Sequence, residues 1–262
     1  MTTVQKIIKY AAIAFGVFLI VSICLGVIGL VSMPKDISKK ELQTVELSGG
    51  TIKELRVELA AMKLVVETGD TFSAQTNNDD LFVSEKDEKL VFSEKTTIFN
   101  KTINGTLKIT LPQDTVLSFV EIEMGAGAVV VQKLSAERID FDLGAGEVQI
   151  EELYVQTSAD IECGAGKFTI EKGEIHNLDI DFGVGKATVI AKLYGNSDVD
   201  CGVGEVNLTL GKKSDYAVEV NKGLGAIEVN GKACNDFAIG GGANKLSIDG
   251  GVGAIHLFFE ED

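Results

Sequence analysis

Six near-copies of one motif recur along the chain: GAGAVVV from Gly125, GAGEVQI from Gly144, GAGKFTI from Gly164, GVGKATV from Gly183, GVGEVNL from Gly202 and GLGAIEV from Gly223. Their spacing, roughly 19 to 21 residues, is that of a structural repeat. Each copy follows an alternating run (FVEIEM, IDFDL, ADIEC, LDIDF, DVDC, YAVEV) and itself continues as alternation. Strict alternation marks a half-buried strand. One repeat therefore reads strand, glycine corner, strand, turn. A single unit cannot bury its apolar face, but copies stacked about 4.8 Å apart bury a continuous core and pair their backbones. The expected fold is all-β, a β-solenoid (a single-stranded β-helix). A β-sandwich also suits short strands between turns, but sandwiches do not repeat one motif six times. A leucine-rich repeat has a similar period, yet its leucine and asparagine spacing is missing.

The pattern predicts the core. Ile122, Phe141, Ile161, Ile180, Val199 and Val220 form one inward column, and Met124, Leu143, Cys163, Phe182 and Cys201 the next. Beyond the glycines, Val129, Val148, Phe168, Ala187, Val206 and Ile227 form a third column. The glycines themselves (Gly125, Gly127, Gly144, Gly146, Gly164, Gly166, Gly183, Gly185, Gly202, Gly204, Gly223, Gly225) are expected at corners, because glycine reaches positive φ without steric cost. Two later copies are altered. GANKLSI from Gly242 puts Asn244 at the second glycine position, where a left-handed corner tolerates Asn. GVGAIHL from Gly251 follows after half a period and is expected to close the array or lie on its opposite edge. LRVELAAMKLVV, Leu55 to Val66, reads as a worn copy at the start, LFVSEKDEKLVFSE as a hairpin, and LFFEED as a charged terminal rung.

Gly-x-Gly also occurs in phosphate loops, but a dinucleotide fingerprint needs a third glycine and a following helix. Here each motif runs into a strand. Serine-nucleophile elbows, zincin helices and Walker loops are missing, and His176 and His256 have no ligand spacing around them. The residues point to a non-enzymatic protein without a cofactor.

Two acidic columns are the candidate binding surface. Glu123, Asp142, Glu162, Asp181 and Asp200 stand two positions before each first glycine. Asp140, Asp160, Asp179 and Asp198, with Glu121, stand two residues earlier. Stacked rungs would place both columns outward on one sheet, where like charges directly opposite are unfavourable. Such a ladder would attract a basic ligand or weakly bind Ca²⁺, against the plainer reading of a solvated face. The calcium nonapeptide itself is absent: Ile255 stands where its Asp would be.

From Tyr10 to Met33 no residue is charged, and such a run spans a bilayer as a helix of about 20 residues. Residues 1–9 are then a short cytoplasmic tail, 10–33 a transmembrane helix, 34–44 a linker and 45–262 the solenoid, with the repeats clearest over 120–257. Lysines flank both sides of the span, so the positive-inside rule is almost silent; a signal anchor with the large domain outside is the simpler arrangement. The formal net charge is −15, from 39 Asp and Glu against 24 Lys and Arg, which disfavours nucleic acid as a partner. Cys163, Cys201 and Cys234 outside the span are odd in number and suggest no disulfide framework.

The repeated acid-apolar-acid-apolar-Gly-x-Gly pattern, the LKITLP segment (Leu107 to Pro112) and the closing GGVGAIHLFF resemble the bacterial putative-adhesin family of unknown function, grouped with the toast-rack β-solenoids. The resemblance covers roughly Val45 to Asp262. It implies a surface-exposed module binding an unknown protein or envelope ligand, or an accessory in envelope-stress signalling. It carries over no catalytic residues.

Overall fold

The structure, a computed structural model, describes residues 40–94, 105–221, 223–235 and 237–260. Almost all of them lie in one sheet wound into parallel, stacked rungs, a toast-rack solenoid. Leu117–Ile170 is one unbroken strand of 54 residues that supplies the second, third and fourth rungs. Before it, Glu54–Gly69 is the first rung, pairing residue for residue with the second: Val57 opposite Ile122, Leu64 opposite Val129. The worn repeat is thus a full rung, with Ala61 opposite Ala126 and Met62 opposite Gly127. Leu178–Ile190 and Asn196–Lys212 continue the stack as the fifth and sixth rungs.

The rungs in the middle of the stack have three sides around the core. The acid-bearing arm precedes the glycines, a second arm follows them, and a short third side closes the loop, where Tyr154, Glu174 and Lys192 lie in register. Inward residues form continuous files: Phe141, Ile161, Ile180, Val199 and Ile248 are all at most 1% exposed. Burial of such files supplies the drive to stack, at about 25 cal/mol per Å² of apolar surface.

The order of rungs in space departs from their order in sequence. Asn244–Glu260 is the seventh rung, lying directly on Asn196–Lys212: Val199 opposite Ile248, Gly204 opposite Gly253, Leu208 opposite Leu257. The repeat that precedes it in sequence, Tyr216–Asn221 with Leu224–Val229, is displaced outward and forms the eighth rung on its far side. The two altered copies are therefore a single rung, and Asn244 is not a corner. It starts a strand opposite Tyr216; its Oδ1 accepts from the Gly195 N–H at 3.1 Å, and its Nδ2 donates to the Asp215 carbonyl at 3.2 Å. Phe258 and Glu260 accordingly lie in an interior rung, not a terminal one. The reason is register: every copy has the same alternation and glycine spacing, so any copy fits any slot.

Short strands blunt both ends of the stack, parallel to the first rung at one end and antiparallel to the eighth at the other. Leu81–Lys86 and Lys89–Glu94 form the hairpin, turning through Asp87 and Glu88 at φ of 51° and 63°, and its second strand lies along the first rung. Thr106–Pro112 covers the other arm. At the far end, Phe237–Ile239 covers Tyr216–Asn221 and Lys232–Cys234 covers Leu224–Val229. The expected membrane span lies outside the described residues; among those described, no helix is long and apolar enough to cross a membrane.

Candidate functional site

The glycines set the geometry of the acidic side. The second glycine of most corners has positive φ, from 136° at Gly127 to 151° at Gly253. Close approach matters as much. A Cβ on Gly166 would lie 1.8 Å from the carbonyl oxygen of Gly146, and one on Gly164 would lie 2.4 Å from that of Gly144. Stacked glycines meet backbone to backbone, leaving no room for a side chain. The eighth rung differs: Gly223 carries the positive φ, at 59°, and Gly225 does not.

Beside this stripe, the sequence-predicted acids come together in register. Glu162, Asp181, Asp200 and Asp249 are successive neighbours, as are Asp160, Asp179 and Asp198. Asp249 was hidden by the altered copy; the signal that finds it is the SIDGG string aligned on Asp200. Glu58 extends the same column at the other end, opposite Glu123. An open groove of about 700 Å³ runs along Asp142, Glu162, Asp181, Asp200 and Asp249, floored by Gly144, Gly164, Gly183 and Gly202.

The columns repel internally. The carboxyls of Glu123, Asp140, Asp179 and Asp200 are raised above their ordinary range, first by loss of hydration and then by neighbouring carboxylates. Within these columns, among the described residues, Arg56 is the one cation. It donates two hydrogen bonds to Glu121, which is 8% exposed, and closes the first end of its column. Its pairing was not legible beforehand, because it needs the worn copy to be stacked in register.

The other two sides are balanced. On the second arm, Lys167 meets Glu147 at 3.1 Å and Lys186 meets Glu205 at 2.9 Å. On the third side, Lys172 meets Glu152 at 3.1 Å and Lys192 approaches Glu174 at 4.0 Å. On the second arm Lys167 and Lys186 stand opposite one another, but each reaches a glutamate on its far side, whereas the acid arm keeps carboxylate against carboxylate.

Among the described residues no three His, Cys, Asp or Glu side chains converge on one point that could hold a metal ion. Carboxylates on parallel rungs stand side by side, whereas Ca²⁺ requires six to eight oxygens around a centre. Both histidines have partners: His256 Nδ1 is hydrogen-bonded to Glu228 at 3.1 Å, and His176 stacks on Tyr194 with ring centroids 4.8 Å apart. Cys163 and Cys201 flank Phe182 in one inward column, two rungs apart and free. Burial pushes the Cys163 thiol up to about 11.

The family model Toastrack DUF4097 matches residues 30–236. The chain belongs to this family. Its solved structural neighbours include a putative cell adhesion protein from Clostridium sporogenes, 16% identical over 84% of this chain and 98% of that one, with a TM-score of 0.37. A putative adhesin from Bacteroides fragilis is 14% identical over 84% and 98% of the respective chains, at a TM-score of 0.37. A putative lipid binding protein from Parabacteroides distasonis is 14% identical over 83% and 96%, also at 0.37. No curated protein matches the chain.

Proposed function

We propose that this Toastrack protein is a non-catalytic binding module, held to the bacterial membrane by residues 10–33 with its solenoid outside the cytoplasm. Its acidic side is the contact surface for a basic partner at the cell surface. The observation that carries the reading is the charge asymmetry between sides. On the second and third sides Lys167, Lys186 and Lys172 each reach a Glu, while the acid arm stacks Asp160, Asp179 and Asp198 in register with no cation among them. A partner rich in Lys or Arg would relieve it over a flat, repeating ladder. A non-catalytic role fits the stacking of His176 on Tyr194 and the protonated state of the buried Cys163 thiol.

The test is binding of the full chain, in detergent, to immobilised poly-lysine, compared with a variant carrying Asp140→Asn, Asp160→Asn, Asp179→Asn and Asp198→Asn. The expected result is binding that weakens steeply with salt and falls by roughly tenfold or more in the variant. Equal binding by both proteins would remove the acidic side from consideration. Protease treatment of intact cells checks the placement: the solenoid should be digested without lysis.

A further inference from the structure

The seventh rung is an inserted strand. Asn244–Glu260 sits between Asn196–Lys212 and the eighth rung, although the latter two are adjacent in sequence and joined by only Lys213–Asp215. Its inward side chains, Leu246, Ile248, Ile255, Leu257 and Phe259, are all at most 7% exposed. It thus fills a slot whose two walls belong to one continuous stretch of chain, and it reaches that slot from outside the stretch. From the structure we infer that this slot is an interaction surface for a second copy of the chain, which inserts its own 244–260 segment and accepts its neighbour's in return.

Three observations carry this. First, the slot reads only register. Both walls present the same repeat, with Gly204 and Gly225 each opposite Gly253, and Val199 and Val220 each opposite Ile248. A strand from another molecule makes every one of these contacts unchanged. Secondly, the segment is tethered by a hinge suited to opening. Gly240 and Gly241 have no atoms within 4 Å of a would-be Cβ, and Gly241 holds φ of 123°. Gly242 beyond them packs against the backbone of Asp215 and Tyr216, and Asn244 bonds to Gly195 and Asp215, so the pivot is Gly240 and Gly241 and opening releases these contacts. Thirdly, a vacated slot cannot be left open: its walls and the expelled strand would expose large apolar side chains together. A second 244–260 segment covers both surfaces at once. Exchange therefore conserves the rung contacts, and the balance between closed monomer and exchanged dimer is set by the hinge and by concentration.

The experiment places a cysteine at the join. Gly250 lies directly opposite Cys201 in the inward column, so Gly250→Cys in a Cys24→Ser, Cys234→Ser background puts two thiols on adjacent rungs, within disulfide reach. The full chain is unfolded in urea, refolded in detergent at rising concentration, oxidised, and run on a denaturing non-reducing gel. The expected result is a covalent dimer whose share rises with refolding concentration, because the bond then joins two chains. A covalent monomer alone at every concentration would overturn the inference. Where no bond forms, wild-type copies bearing two different affinity tags decide it. Co-capture after joint refolding, well above that from copies mixed after refolding, supports exchange, and equal co-capture overturns it. This readout is independent of poly-lysine binding, so either proposal can fail without the other.

Discussion

Replacing Gly164 by Ala isolates the packing of the corners from their backbone conformation. Gly164 does not have positive φ, so Ala carries no conformational penalty there. Its Cβ would lie 2.4 Å from the Gly144 carbonyl oxygen, about 0.6 Å inside the 3.0 Å below which such contacts are not found. Parting the two rungs by that much stretches a 2.9 Å ladder hydrogen bond to about 3.5 Å, beyond its useful range. With two or three bonds weakened at about 1 kcal/mol each, the cost is roughly 2–3 kcal/mol. For a domain of this size that lowers Tm by about 5–10 °C. Gly166→Ala adds positive φ, 139°, to an oxygen 1.8 Å away, and is expected to cost a further ~1–3 kcal/mol. Gly241→Ala, at φ of 123° in open space, carries only the conformational part, and Gly240→Ala carries neither. Thermal and urea unfolding of the four variants, followed by circular dichroism in detergent, should rank them Gly166, Gly164, Gly241, Gly240 from most to least destabilised, with Gly240→Ala within about 0.5 kcal/mol of wild type. If Gly164→Ala melts with Gly240→Ala, rung spacing is not what demands glycine, and the account of the corners fails.

Three other outcomes are expected. Asp179→Asn and Asp200→Asn each remove a carboxyl whose proton affinity is raised by folding, so each should stabilise the protein at pH 7, by about 0.2–1 kcal/mol. A raised carboxyl contributes stability fully present below its ordinary value of 3.8 and lost as pH rises through its folded value, so the gain should vanish as pH falls toward 3.8; a gain independent of pH would refute the electrostatic cause. Arg56→Gln leaves the Glu121 carboxylate, 8% exposed, without its partner and should cost about 1–3 kcal/mol at pH 7, with a smaller loss once Glu121→Gln is added; equal losses would show the pair to be inert. In the native protein, iodoacetamide should label Cys234, half-buried, well before Cys163 and Cys201, and Phe182→Cys should create an oxidisable pair on adjacent rungs where wild type forms none; a Cys163–Cys201 bond in wild type would contradict the stacking.

Much of the architecture was written in the period. Alternation assigned the inward files, and the acids two and four places before each glycine had to share one side once rungs stacked, since a strand turns successive side chains to opposite faces. Local pattern also identified the hairpin at Leu81–Glu94 and the worn first rung. What the repeat could not encode was the order of its own copies. Parallel in-register pairing is the same between any two rungs, so nothing in GLGAIEV or GVGAIHL states which of them lies against GVGEVNL. Only the tertiary structure decided that Asn244–Glu260 takes the seventh place, that Asn244 ties Gly195 to Asp215, and that Asp249 joins the acid column. The salt bridge between Arg56 and Glu121 belongs to the same class, because it joins residues far apart in sequence that meet when the first rung docks. Local spacing determines what faces inward along one strand; which strands become neighbours is settled by chain connectivity and by the closing of both ends of the stack.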